Sequence, residues 1–189
     1  MSRFNLVVLA VAVVGLSACS TFHTPGYAVV PGTVHLLRDL HQRHPQGSVQ
    51  VGAFTTSADL GNELGCRWGG KVMPAGEVTF AEYLHSALAT DFDLAQVSVP
   101  SSTNVVKGSI QHLDFDSGSG HWRLAASVSA GGQPAYEIKI DLPYDTSFFA
   151  DRACSISADT FVPLVQTFVK EVVTNAAFER AFADSVPRG

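Results

Sequence analysis

From His121 to Leu142 the chain alternates with a period of two. Trp122, Leu124, Ala126 and Val128 take one parity, while His121, Arg123, Ser127 and Ser129 take the other. After Ala130-Gly131-Gly132-Gln133-Pro134 the pattern resumes, with Tyr136, Ile138, Ile140 and Leu142 opposed to Glu137, Lys139 and Asp141. Successive strand side chains point to opposite faces, so each segment has one apolar and one wet face. A slip of one residue would put every apolar side chain in water, which fixes the register and demands a cover on one face only. A preceding run set off by Ser117-Gly118-Ser119-Gly120 completes a three-stranded antiparallel meander, with strands expected at about 105–116, 121–129 and 135–144.

Two segments have the helical period that supplies a cover. Thr79 is placed to cap a helix from Phe80 to about Phe92, where Phe80, Leu84, Ala87, Leu88 and Phe92 form a stripe and Glu82, His85 and Asp91 are expected at the surface. Asp159 is a candidate N-cap for the second, with Pro163 in its first turn, where the missing N–H matters least. Phe161, Leu164, Val165, Phe168, Val172 and Val173 then form a broad apolar face to about Ala176, followed by a further turn at Phe178 to Phe182. Ser48 to Thr55 alternates as a first strand, with Val49, Val51 and Ala53 on one face, and a short strand is expected at 94–99. The expected fold class is α+β, a mainly antiparallel sheet with two helices packed on one face.

The N-terminal region carries an address. A short basic stretch with Arg3 precedes the apolar run Leu6 to Val14, which is shorter than the about 20 residues a bilayer-spanning helix needs and fits an export signal. Leu16-Ser17-Ala18-Cys19 resembles the bacterial lipobox, in which small residues precede a cysteine that is diacylated and becomes the mature N-terminus. The resemblance implies a signal peptide at 1–18, lipid (palmitate among its acyl groups) on Cys19, and attachment to a membrane, since two acyl chains hold stably where one binds marginally. Ser20 rather than Asp after that cysteine resembles the enterobacterial sorting pattern for the outer membrane, on its periplasmic side. Pro25, Gly26, Pro31, Gly32, Pro45 and Gly47 leave room for no long element, so 19–47 is expected as a lipidated tether and 48–189 as a single periplasmic domain. Within the tether a short helix at Val34 to His44 places Leu36, Leu37 and Leu40 on one side.

Removing 18 of the 189 residues leaves 171, and dropping Arg3 from the 12 basic side chains against 17 acidic ones moves the formal charge from −5 to −6. Nucleic acid is excluded as an expected partner, because phosphate binding needs clustered Lys and Arg. With Cys19 taken by lipid, Cys66 and Cys154 remain. An even pair in an oxidising compartment is most simply a disulfide, worth roughly 3–5 kcal/mol in the chain-entropy model. A metal pair or a reactive thiol is the rival, without CxxC spacing or a nearby His cluster in its favour.

The densest group of potential ligands is His112, Asp114 and Asp116 on one strand face, with His121 returned toward them by the turn. It lacks the EF-hand pattern, and acidic residues with glycines are ordinary turn chemistry, so no metal is expected there. His41 and His44 lie one turn apart without an evident third ligand. There is no nucleophile elbow, phosphate-binding glycine loop or HExxH, and Asp141, Asp145 and Asp151 near Tyr144 form no recognisable acid/base pair. The expectation is a non-enzyme with no cofactor.

Cys66-Arg67 with its glycine-rich turn, Phe80-Ala81-Glu82-Tyr83-Leu84, Gly108-Ser109-Ile110, Leu113-Asp114-Phe115, Trp122 and Asp145-Thr146-Ser147-Phe148 ahead of Ala153-Cys154 resemble a group of small proteobacterial lipoproteins of uncharacterised function, from about residue 64 to 182. That resemblance implies paired cysteines and a shared fold, and no catalytic residues. In architecture the chain also resembles auxiliary lipoproteins of ABC-type transport systems, a likeness that does not fix function. The expected role is an accessory or binding module that presents its sheet, or an edge strand, to another envelope protein. The alternative is a carrier of an apolar ligand such as a lipid between helices and sheet, lined by Phe80, Phe92, Trp122, Phe161 and Phe168.

Overall fold

The computed structural model describes residues 20–56 and 60–185, with Trp68 as backbone only; the expected export signal and the expected lipidation site, Cys19, lie outside the described residues. In chain order the elements are β1 (Thr21–His23), α1 (Pro31–Arg43), β2 (Gln50–Thr56), β3 (Leu64–Gly65), β4 (Lys71–Met73), α2 (Phe80–Leu94), β5 (Val105–Asp116), β6 (His121–Ala130), β7 (Tyr136–Pro143), α3 (Ala150–Thr174) and α4 (Ala176–Ala183).

The meander forms with the expected faces. Across β6 and β7 the pairs are Trp122 with Leu142, Leu124 with Ile140, Ala126 with Ile138 and Val128 with Tyr136, so apolar side chains meet apolar side chains. In β5 a bulge adds one residue between Ile110, which pairs with Ala126, and His112, which pairs with Ala125. The extra residue resets the parity, so Val106 and Ile110 before it and Leu113 after it all point into the core. At the β5–β6 tip, Gly120 has φ of 74°, and a Cβ there would collide with the Tyr144 carbonyl oxygen.

The α+β class holds, and its detail is richer than expected. The main sheet has the order β2-β5-β6-β7, and β2 runs parallel to β5 because the chain between them crosses over through α2. A second sheet, β1-β4-β3, pairs β1 parallel and β3 antiparallel to β4. There are four helices among the described residues, not two. The apolar face of the main sheet meets α2, α3 and α4, while α1 packs on α2 and α3.

Residues 20–47 are not a tether. Their prolines and glycines limit each element to a few turns or residues, but every short element finds a partner. β1 adds to β4, and α1 buries Val34, Leu37 and Leu40 while Leu36 stays 43% exposed, off the expected face. The loop between them is tied down as Tyr83 Oη donates to Pro25 O (2.8 Å) and Gln166 Nε2 to Ala28 O (2.6 Å). The expected strand at 94–99 reduces to one parallel bridge, Val49 to Ser98. In β2 a register shift between Val51 and Phe54 turns Phe54 toward the core, edge-on to Phe168 (6.1 Å between ring centres), and leaves Ala53 exposed.

The α2 start is a full capping box: Thr79 Oγ1 accepts from Glu82 N (3.1 Å) and Glu82 Oε2 from Thr79 N (2.7 Å). By contrast α3 begins nine residues before the expected cap at Asp159, with Phe149 as its N-cap. Its first turns bury Ala153, Cys154, Ser157 and Ala158, and this tertiary contact extends the helix through Pro163, which stays on the exposed side. The core is aromatic: Trp122 lies 5.2 Å from Phe161, Phe80 5.3 Å from Phe161, and Phe92 stacks on Phe178 at 5.7 Å. The indole satisfies its N–H on Ser157 O (2.8 Å).

Candidate functional site

Cys66 and Cys154, 88 residues apart, are joined with an S–S distance of 1.98 Å and a Cα separation of 6.0 Å. The bond ties the turn before β4 to the first turns of α3. Beside it Arg67 reaches across the same seam: its guanidinium donates to Ser147 O (3.1 Å), to Phe148 O (3.4 Å) and to Ser117 O. Three carbonyls from two loops converge on one cation, so Arg67 clamps the β5–β6 tip to the segment that leads into α3. The side chain of Trp68, next to the disulfide in sequence, lies outside the described residues.

The His112, Asp114, Asp116 and His121 cluster does gather at one end of the open sheet face, with its oxygens already engaged. Arg123 grips Asp114 with two bonds, Nε to Oδ1 (2.9 Å) and Nη2 to Oδ2 (2.6 Å), and His112 Nε2 lies 3.2 Å from Oδ1. His121 Nδ1 pairs with Asp141 Oδ1 at 2.8 Å. Asp116 accepts from Gly118 N (2.7 Å), Ser119 N (3.3 Å) and Ser119 Oγ (2.8 Å), and these bonds hold its carboxyl below the usual range. The tip is thus an Asx-type turn next to an ion pair. Among the described residues no three His, Cys, Asp or Glu side chains are grouped to hold a metal. His41 Nδ1 lies 3.2 Å from Gly47 O, with its ring edge-on to Phe182 at 6.3 Å, in the manner of a packed residue.

One face of the main sheet is left without a helical cover among the described residues. Where β2, β5 and β6 lie side by side, Ala53, Thr55, Ser109, Ser127 and Ser129 line a shallow trough of about 350 Å³, with Lys107 beside it. Small hydroxyl and methyl side chains leave the pleat open there, whereas Arg123, Asp114 and His121 fill the far end of the same face. Such a surface suits a segment laid flat along the strands more than a small molecule, since it encloses nothing.

Two buried polar residues are not legible as such in the sequence. Asp91, expected on the α2 surface, is fully buried, because the loop at 24–28 lies over it and Tyr27 Oη donates to its Oδ1 (3.1 Å). Its Oδ2 has no partner among the described residues, and burial pushes its pKa up to about 6, with the Tyr27 bond opposing. Burial, with the Asp91 charge second, raises the Tyr27 hydroxyl in turn. Asn104, just before β5, is 1% exposed with neither carboxamide atom bonded among the described residues, and lines a small recess with Gly131, Gln133 and Ser185. A polar residue at an apolar register position is the only sequence signal for either.

No protein family and no curated protein matches the chain. Among solved structures it is similar to one described as "Crystal structure of uncharacterized protein", at 10% identity and a TM-score of 0.45, covering 81% of this chain and 97% of that one.

Proposed function

We propose that this chain is a lipid-anchored envelope protein, on the periplasmic side of the outer membrane, that serves as a non-enzymatic accessory module and offers its open sheet face to another envelope protein. The observation that carries the reading is the asymmetry of the main sheet. One face is sealed by three helices and the other is left open, with a trough of small side chains at Ala53, Thr55, Ser109, Ser127 and Ser129. Antiparallel sheets tolerate a wet face, and the exposed carboxylates of that face are spent on ion pairs and turns, which leaves it shape and backbone more than reactive groups. No helix among the described residues is long and apolar enough to cross a membrane, and in this reading the proposed lipid on Cys19 makes the attachment.

A photo-crosslinking residue placed at Ser127 in cells is expected to capture one protein of constant mass, and the same residue at Glu171 on the helical side is not. A Ser127→Arg change is expected to abolish the capture made from Ser129 while altering stability by no more than about 0.5 kcal/mol, the usual range for surface changes. Equal capture from both sides, or none from the sheet face, contradicts the proposal. An apolar carrier gains nothing from the observed core, where Phe80, Phe92, Trp122, Phe161 and Phe168 are each 0% exposed, Phe80 and Trp122 pack on Phe161, Phe92 stacks on Phe178 and Phe168 meets Phe54.

A further inference from the structure

Ser20 is the only residue between Cys19 and β1, and its carbonyl accepts from Lys71 N (3.0 Å), so the folded sheet begins within one residue of the proposed lipid site. Consecutive Cα atoms are about 3.8 Å apart, which leaves the anchor no slack. Whatever surface surrounds Ser20 is therefore held at the headgroup layer.

Contacts around β4 define that surface. Lys71 follows Gly70, and a Cβ at Gly70 would lie 3.3 Å from the Phe22 ring and 3.5 Å from Cys154 Sγ. Cys154 belongs to the first turns of α3, and Cys66 bonds to it. Arg67 then holds the Ser147 and Phe148 carbonyls. The α3 N-terminus and the point where the chain emerges thus share one end of the molecule. At that end stand the two most exposed large apolar side chains among the described residues, Phe148 (93%) and Phe149 (72%), set edge-to-face at 5.9 Å. Two adjacent phenylalanines held out in water on a segment clamped by Arg67 and a disulfide are not explained by packing within the domain.

We infer that Phe148 and Phe149 form a second, non-covalent membrane contact, inserting into the leaflet that holds the Cys19 lipid. The inference rests on the anchored reading above and adds an orientation to it: the disulfide end faces the bilayer, and the long axis of α3 leads away from it. The pair has acidic neighbours in sequence, Asp145 and Asp151, and the Arg67 guanidinium beside it is engaged by the Ser147, Phe148 and Ser117 carbonyls, so the inferred contact is apolar and does not depend on anionic headgroups.

The full-length Phe148→Trp protein, matured in cells, purified in detergent and returned to phosphatidylcholine vesicles, provides the test. Bromine-substituted acyl chains are expected to quench the added tryptophan emission by about twofold relative to unsubstituted lipid, with no change on adding phosphatidylglycerol. Phe149→Trp is expected to behave alike, and because both positions are exposed neither change should disturb folding. Unquenched emission from protein that remains on the vesicles overturns the leaflet contact while leaving the anchor in place. Protein that carries no acyl mass and leaves the vesicles overturns both. A photo-crosslinker at position 148 that captures a protein in cells assigns the pair to a protein partner and likewise overturns it.

Discussion

Asp91 is a carboxyl held well above its ordinary range by burial. A carboxyl that titrates near 3.8 when unfolded and near 6 when folded binds its proton more tightly in the native state. Its contribution is fully favourable below about pH 4, where both states are protonated, and is lost as pH rises through about 6, where the buried group must ionise. The loss is at most about 3 kcal/mol at neutral pH, since each tenfold change in proton affinity between the two states is worth about 1.4 kcal/mol. Asp91→Asn keeps an acceptor for Tyr27 and removes the charge, so the variant is expected to melt at a higher temperature than the wild type at pH 7.5 and to lose that advantage by pH 4. Parallel melting-temperature curves for the two proteins would contradict this account. Asp91 follows Leu88 by three residues and Ala87 by four, inside the α2 stripe, and only its acidic type argues for the surface; what covers it is a loop more than sixty residues earlier in the chain, tied on through Tyr27. Burial of that kind is set by tertiary contact, which a helical period does not encode.

Among the elements, those whose pattern is long and local are legible in the sequence. Trp122 to Val128 and Tyr136 to Leu142 sort cleanly by parity, and Thr79 with Glu82 marks the α2 start to the residue. Elements made by partners are not. β1 has three residues and exists because β4 accepts it, and α3 continues through Pro163 because Trp122, Tyr144 and Cys154 hold the turns before the proline. The parallel pairing of β2 with β5 follows from a crossover, while alternation alone says nothing of direction. The open-face trough is legible only as a wet face; its shape depends on which small residues of three strands fall side by side. The seam between the β4 turn and α3 depends most on one bond. A Cys66→Ala, Cys154→Ala protein is expected to lose about 3–5 kcal/mol by urea unfolding, the amount that an 88-residue closure contributes in the chain-entropy model. The first protection from hydrogen exchange should be lost around Arg67 to Met73 and Phe149 to Ser157. A loss below about 1 kcal/mol would show that Arg67 and the packing of α3 hold the seam without the bond.

For the whole molecule, the fold changes what the N-terminal cysteine means. Prolines and glycines over 19–47 lead one to expect a flexible lead of nearly thirty residues; instead residues 21–43 are built into the domain, so an anchor at Cys19 fixes position as well as compartment. The disulfide end and the open sheet face would then take fixed directions relative to the membrane. All of this depends on the lipid. Intact-mass spectrometry of the protein extracted from cell membranes tests it most directly. The account predicts a chain that begins at Cys19, carries at least two acyl groups, and loses them in a Cys19→Ser variant that leaves the membrane fraction. An unacylated chain, or one that begins at another residue and still fractionates with membranes, would contradict it.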